Sequence, residues 1–267
     1  MFEFGVHQAS GLLAASDIDP AVLMPVATTS RPGQAYEVLC ALATQVGAMG
    51  LDVVIVDGSA QEVTSPGQRD GRHLGLIHAL EDPSISGLGP VGPTEEWLVM
   101  PAQQGLQALL QTACAAGPAM VVSRLLAPFA CGTVVLLYAP ALQLSALLAG
   151  LQVPIIVPVS DMAQATLDAY GSVKVLHAGG LSPVLAPMAM VVDGAQAPLG
   201  QVVSSVCDCA ERYLNHRLPQ WPMSEWGHRV RTAAFAAPWP PGVLAGMPLA
   251  QPLGPVGPAA ASSNRSN

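Results

Sequence analysis

Two short apolar segments on either side of a helical pattern constrain the fold of this chain most. Residues 21–28 and 52–57 are apolar at nearly every position, and both are far shorter than the ~20 residues that a membrane-spanning helix needs. Between them, residues 35–49 place apolar side chains three and four positions apart, and Gly50 follows as a helix stop. Strands that are apolar throughout are typical of parallel sheets covered on both faces, so this unit predicts an α/β fold.

The same alternation continues along the chain. The further strands that we predict are residues 96–100, 133–138, 153–159 and 184–192, and the further helices are residues 74–80, 105–116, 142–151, 161–177 and 204–214. This spacing predicts a doubly wound, mostly parallel sheet flanked by helices, formed by residues 21–238 as one domain. Residues 1–20 are expected to be a leader with a partner-binding helix, and the Pro-, Gly- and Ala-rich residues 239–267 a disordered tail.

The charge of the chain restricts its partners. Lysine and arginine together number only 10, Lys174 is the single lysine, and the formal net charge is −8. Nucleic acids and anionic lipid surfaces are bound through clusters of basic residues, so neither is expected as a partner. The five cysteines have no zinc-site spacing and are expected to be buried free thiols, and no signal-peptide pattern is visible at the amino terminus. Together these features predict a cytoplasmic location.

Membrane association is an alternative that the sequence raises, because no charged residue occurs between Arg124 and Asp161. A spanning helix through this stretch would have to pass Pro140 and Pro154, both of which interrupt a helix. A strand, a helix and a second strand fit these breaks better, so no stable membrane insertion is expected. A membrane-associated assembly component stays open as an alternative function.

The loop after the first strand is the usual phosphate-binding site of a doubly wound fold. Such a loop needs glycines for close backbone approach, a lysine for the β- and γ-phosphates and a hydroxyl for Mg²⁺. Residues 28–36 read TTSRPGQAY, with one glycine, no lysine and a proline that removes one N–H donor. The loop is therefore poorly equipped to bind a nucleotide.

Five segments resemble, in the same order along the chain, the MinD/ParA group of deviant P-loop ATPases and, within it, the flagellar-number regulators FlhG and FleN. They are residues 7–13 (HQASGLL), 27–36 at the position of the KGGxGKT loop, 99–109 (VMPAQQGLQAL), 161–176 (DMAQATLDAYGSVKVL, similar to PExxxxxDAYaxiKxL) and 209–218 (CAERYLNHRL). The resemblance implies a P-loop NTPase-like, MinD-like fold. Since the family dimerises across two ATP molecules, a chain without nucleotide is expected to be a monomer or to dimerise through a different contact.

The resemblance implies that the leader segment binds a partner protein. It is similar to the motif DQAxxLR, with which the family contacts and stimulates its partner GTPase, FlhF. His7 and Leu13 replace the aspartate and the arginine of that motif. The residues to which the resemblance assigns binding of an FlhF-like GTPase, or of another flagellar regulator, are Gln8, Ala9, Gly11 and Leu12.

The residues with which this family binds and hydrolyses ATP are replaced. With Asp57 aligned, the two loop lysines fall on Ser30 and Ala35, and the Mg²⁺-binding threonine falls on Tyr36. The second aspartate, which promotes hydrolysis, falls on Ser59, and the Walker B strand ends in LLYAP without its aspartate. The degenerate nucleotide loop that the resemblance defines consists of Ser30, Arg31, Pro32, Gly33, Gln34, Ala35 and Tyr36, together with Asp57 and Ser59.

These replacements decide the predicted function. Phosphoryl transfer needs a positive charge at the γ-phosphate and a metal site, whereas Lys174 belongs to a different motif. We therefore expect a pseudo-ATPase with no catalytic residue, no cofactor and no metal, which regulates flagellar number or placement through protein contacts. The alternative is an ATPase whose atypical loop binds nucleotide through backbone amides alone.

Overall fold

The computed structural model of the chain describes residues 20–29, 32–62, 75–90, 97–162, 164–189 and 198–236. Its strands are β1 (Val22–Thr28), β2 (Val53–Asp57), β3 (Leu98–Pro101), β4 (Val134–Pro140), β5 (Pro154–Val159) and β6 (Ser182–Pro187). Its helices are α1 (Pro32–Gly47), α2 (Leu76–Glu81), α3 (Gln103–Ala116), α4 (Pro118–Leu126), α5 (Ala141–Leu148), α6 (Ala165–Ala178), α7 (Leu199–Leu214) and α8 (Trp226–Ala236), with a 3₁₀ turn at Met223–Glu225.

The six strands form one sheet in the order β3-β2-β4-β1-β5-β6, and every pairing in it is parallel. The chain moves outward from β1 to β2 and β3, returns to place β4 beside β1, and then continues to β5 and β6 on the other side. The strand order therefore reverses next to β1, which is where doubly wound folds bind ligands. The predicted doubly wound, parallel α/β sheet is confirmed.

Each face of the sheet is covered by its own hydrophobic core. On one face, strand residues such as Val54 and Leu137 pack among the residues of α3 to α7. On the other face, Ile55 and Leu136 pack under α1 and α8. Burial on both faces is the reason that these strands are apolar at successive positions.

Several helix boundaries differ from those predicted. α1 begins at Pro32 rather than at residue 35, because proline is well suited to the first turn of a helix, so the predicted loop 29–34 is shorter. α6 begins at Ala165 rather than at residue 161, after Gln164 in a left-handed conformation (φ 67°). α7 begins at Leu199, before the predicted residue 204, and β6 spans Ser182–Pro187 instead of 184–192.

Two helices were missed by the sequence analysis. α4 follows α3 directly, since Gly117 takes a positive φ of 83° and Pro118 opens the new helix. α8 covers α1, with Trp226 fully buried and its Nε1 donating a hydrogen bond to the carbonyl of Trp221 at 2.7 Å. Both helices are short, and neither shows an extended apolar repeat in sequence.

The charge-free stretch of the sequence folds as β4, α5 and β5, as predicted. Within the described residues, no helix combines the length and the apolar character needed to cross a membrane. The five cysteines are free, but the prediction that they are buried was wrong: Cys114 and Cys131 are exposed, and the other three are half-buried. Of the half-buried cysteines, Cys207 on α7 packs against the core. The predicted leader and tail lie outside the described residues.

Candidate functional site

The candidate site lies at the carboxyl edge of the sheet, which we define as the ends of β1, β2 and β4. In register, Thr28 of β1 is paired with Pro140 of β4, and Asp57 of β2 is paired with Tyr138 of β4. α1 begins four residues after Thr28, so its amino end belongs to the same edge. This is the position at which a doubly wound fold holds phosphate groups. The fold therefore brings Asp57 to the loop with which the sequence analysis associated it.

The described residues of the degenerate loop do not form a phosphate cradle by themselves. Gly33 is exposed, and a Cβ added there would meet nothing within 4 Å, so no close contact requires glycine. Ala35, at the position of the second loop lysine, is buried with an exposed fraction of 1%. Ser30 and Arg31 lie outside the described residues, and of Pro32 and Gln34 only the backbone is described.

A pair of tyrosines packs at this edge. The ring of Tyr36, from α1, meets the ring of Tyr138, from β4, edge to face, with centroids 6.0 Å apart and planes at 76°. Tyr138 is completely buried, and Tyr36 is half-buried against the core beneath α1. Edge-to-face packing of this kind is favourable beyond the area that it buries. The position at which the resemblance expects a metal-binding hydroxyl thus carries an aromatic ring packed on the core.

Asp57 is held by its own turn. Its side chain is 8% exposed, and Oδ1 accepts hydrogen bonds from the backbone N–H of Ser59 at 2.9 Å and from Ser59 Oγ at 2.6 Å. The N–H of Gly58 donates to the carbonyl of Tyr138 at 2.8 Å, and a Cβ on Gly58 would lie 3.0 Å from that oxygen. Ser59, which the resemblance aligns with a second aspartate, therefore donates two hydrogen bonds to one oxygen of Asp57.

The electrostatics of the edge disfavour additional negative charge. Burial raises the pKa of the Tyr138 hydroxyl, and the nearby Asp57 carboxylate and Tyr36 raise that pKa further. Burial, then Cys40 and Asp57, likewise raises the pKa of Tyr36. Both phenols consequently stay neutral at physiological pH, beside one carboxylate.

Positive charge lies elsewhere among the described residues. Lys174 is exposed on α6, Arg124 on α4 donates to Thr112 Oγ1 at 2.8 Å, and Arg229 on α8 forms an ion pair with Glu225 at 2.8 Å. In the described parts of the loops that follow β1, β2, β4 and β5, there is no lysine or arginine. An anion bound at this edge would have to rely on backbone N–H groups or on residues outside the described ranges.

Two spaces lie near the amino end of α1 among the described residues. A cavity of about 10 Å³, room for about one water molecule, is lined by residues that include Thr29, Ala35 and Ser160. An open groove of about 300 Å³ lies next to it, between Thr28 and α6, and Leu167 on its rim is 71% exposed. Ligand sites for small molecules are usually clefts of ~300–1,000 Å³, so the small cavity by itself is far below that range.

The structure also identifies residues that sequence reasoning missed. Tyr138 was noted only as part of a strand that lacks an aspartate, although a lone tyrosine near the end of an aliphatic strand is a usable signal. Glu62 was not considered at all and is a buried acid. The predicted partner-binding residues of the leader lie outside the described residues; they are Gln8, Ala9, Gly11 and Leu12. Within the described ranges, no group of three or more His, Cys, Asp or Glu residues could hold a metal ion.

Comparison with known proteins places this chain near several solved structures. No protein-family model and no curated protein matches the sequence. An ATP complex of McdA from Cyanothece is similar at 14% identity over 82% of this chain and 88% of that one, with a TM-score of 0.48. Cobyrinic acid a,c-diamide synthase of Mycobacterium smegmatis is similar at 15% identity over 83% and 96%, with a TM-score of 0.49.

A third similar structure is the MinC:MinD cell division protein complex of Aquifex aeolicus. The identity is 11% over 82% of this chain and 93% of that one, and the TM-score is 0.43. The ATP in the McdA complex and the MinC partner of MinD are properties of those proteins.

Proposed function

We propose that this protein is a non-hydrolysing regulator of the MinD/ParA type, a pseudo-ATPase that works through protein contacts. The observation that carries this proposal is the content of the carboxyl edge, where the tyrosine pair packs beside an Asp57 already bound by Ser59. An ATP·Mg²⁺ site at this place needs cationic and metal-binding groups instead.

The physical reason is one of charge. A triphosphate carries several negative charges, which an active site neutralises with lysine, arginine and Mg²⁺. The described groups at this edge include two neutral phenols and the carboxylate of Asp57, and a second carboxylate, Asp168, lines the cavity beside Thr29. Placing a triphosphate beside Asp57 without a compensating cation would bring like charges together in a partly buried setting, which is costly.

The biological process comes from the sequence resemblance. The order of the five matching segments supports a cytoplasmic role in flagellar number or placement. The leader would supply the contact to an FlhF-like GTPase or another flagellar regulator. Binding by a leader-deleted chain tests this: a pull-down with the whole chain and with a chain lacking residues 1–16 should recover a partner only with the former. Equal recovery by both would show that the leader is not the binding segment.

A nucleotide-binding ATPase with an atypical loop is the second candidate. The observation in its favour is that α1 still begins at the carboxyl edge, beside the open groove next to Thr28. Helix amino ends attract anions through their unpaired N–H groups. This candidate predicts phosphate release from ATP by the unmodified protein.

Phosphate release separates the two candidates. We expect no Mg²⁺-dependent release of phosphate from ATP by the natural chain. A known ATPase measured in parallel controls for the assay. Release by the natural chain at a rate that Asp57→Ala abolishes would support the ATPase and contradict the proposal.

A further inference from the structure

Glu62 is a buried carboxylate that is not part of the tyrosine pair. Only 5% of the residue is exposed, and it follows Ser59 by three positions in the segment after β2. Burying a carboxylate is unfavourable unless hydrogen-bond donors replace its water. Its surroundings therefore have to supply those donors.

Backbone N–H groups from two different helices donate to it. Glu62 Oε1 accepts from the N–H of Ile77, in the first turn of α2, at 2.6 Å. Glu62 Oε2 accepts from the N–H of Gly105, in the first turn of α3, at 2.9 Å, and also from the N–H of Gln104. We call this arrangement the Glu62 junction.

The junction replaces the caps that both helices lack. The first N–H groups of a helix have no partner within it and need an acceptor from outside. The N-cap residues of α2 and α3 are Gly75 and Ala102, and neither forms a side-chain cap. A single carboxylate thus caps two helices, and its negative charge is favourably placed at both amino ends.

Two glycines make the close approach possible. A Cβ on Gly75 would lie 2.7 Å from Glu62 Cγ, and a Cβ on Gly105 would lie 2.6 Å from Leu76 Cγ. Either addition would force the three chain segments apart. Glycine at these two positions is therefore explained by the junction, without reference to any ligand.

The same segment is tied to α3 by its backbone. The carbonyl of Asp57 accepts from the N–H of Ala102 at 2.9 Å, and the carbonyl of Ala60 accepts from the N–H of Gln103 at 3.1 Å. α2, by contrast, spans only Leu76–Glu81, which is too short to persist as a helix without tertiary support. The hydrogen bond from the N–H of Ile77 to Glu62 links it to this segment.

We propose that Glu62 is a conformational latch. It holds the amino ends of α2 and α3 closed on the segment Asp57–Glu62, so that the first turns of both helices open together when its carboxylate is lost. The latch is independent of the proposed function, because it involves no nucleotide and no partner.

Hydrogen exchange of the full chain, followed by mass spectrometry, tests the latch. The variant Glu62→Gln keeps the shape of the side chain but loses its charge, and Glu81→Gln makes the same change at an exposed position at the end of α2. In Glu62→Gln we expect the amides of α2 and of the first turn of α3 to exchange about tenfold faster, while those of β1 and β4 keep their rates. Glu81→Gln should leave all of them unchanged.

Three results would overturn the latch. These are exchange in Glu62→Gln equal to that in Glu81→Gln, faster exchange in α2 with α3 unchanged, and faster exchange throughout the sheet. Gly75→Ala pushes on Glu62 without altering the carboxylate and serves as a second test if Glu62→Gln does not fold. It should open the same two helix ends together, and opening of α2 alone would contradict the proposal.

Discussion

The tyrosine pair and the Glu62 junction lie at opposite ends of one short segment, Asp57–Glu62, and hold it by different means. At the Asp57 end, two aromatic rings pack beside a carboxylate that its own turn satisfies. At the Glu62 end, a carboxylate reaches out to the N–H groups of two helices. The first arrangement depends on apolar contact, and the second depends on charge and hydrogen bonds. The same edge of the sheet can therefore be closed by packing in one place and by an internal anion in another.

The difference has a functional meaning. In the Glu62 junction, helix amino ends bind a carboxylate that belongs to the chain itself. At the tyrosine pair, the place where the fold would bind a phosphate contains neutral rings and no described cation. Among the residues that the structure describes, neither arrangement offers an external anion a prepared site near β2.

The largest expected effect on the free energy of unfolding is at the tyrosine pair. Tyr138→Ala removes a fully buried ring and should lower the free energy of unfolding by about 3–5 kcal/mol. Tyr213→Ala, on the exposed surface of α7, is the matched control and should leave stability nearly unchanged. Urea denaturation measures both. A similar loss of free energy in the two variants would show that the tyrosine pair does not stabilise the fold more than an exposed tyrosine does.

The second-largest expected effect is at the Glu62 junction. Glu62→Gln leaves N–H groups of α2 and α3 with a weaker acceptor and should lower the free energy of opening these two helix ends by about 1.4 kcal/mol, which corresponds to tenfold faster amide exchange. This loss should be smaller than that in Tyr138→Ala and should be absent in Glu81→Gln. Amide hydrogen exchange provides the measurement, and the free energy of global unfolding should stay nearly unchanged. A global loss in Glu62→Gln larger than that in Tyr138→Ala would reverse the comparison.

A smaller effect is expected at the turn that satisfies Asp57. Ser59→Ala removes the 2.6 Å bond from Ser59 Oγ to Asp57 Oδ1 and should cost about 1 kcal/mol. The chain offers a matched control, since Ser84 donates to Asp82 with the same geometry but on the exposed surface. Ser84→Ala should not change the unfolding midpoint. Equal shifts of the unfolding midpoint in the two variants would mean that burial of Asp57 does not strengthen the hydrogen bond from Ser59.

The smallest expected effect is on how the free energy of unfolding depends on alkaline pH. An unfolded tyrosine ionises near pH 10, whereas the folded pKa values of Tyr36 and Tyr138 are raised. The folded state then holds more protons than the unfolded state above about pH 10, so stability falls as the pH rises beyond that value. In the variant Tyr36→Phe/Tyr138→Phe this fall should be weaker, as followed by unfolding at a series of pH values. An unchanged pH dependence would contradict the assigned cause.

Local sequence patterns account for much of the fold. Successive apolar residues in β1 and β2 predict strands buried on both faces. α1 ends at Gly47, three residues before the predicted stop at Gly50, which lies in the following turn with a φ of 78°. Both features depend on neighbours along the chain, which a sequence displays directly. The alternation of strands and helices likewise predicted a parallel sheet, because parallel neighbours need a crossover between them.

The candidate site was only partly predictable. The replacement of loop residues at positions 35, 36 and 59 is visible in the sequence, but the partner of Tyr36 is not, because Tyr138 comes from a strand far along the chain. Glu62 was missed for the same reason: its partners in α2 and α3 lie 15 and 42 or more residues away, and no local motif marks a shared cap. Contacts of this kind depend on the tertiary structure.

The central claim is that the carboxyl edge does not bind ATP·Mg²⁺. Titration calorimetry of the full chain with ATP and Mg²⁺ tests it most directly. We expect no saturable heat at millimolar nucleotide, from the natural chain or from Tyr36→Phe, because no described cation lies at the edge to compensate the triphosphate. Saturable binding in the micromolar range, abolished when Mg²⁺ is removed, would contradict it.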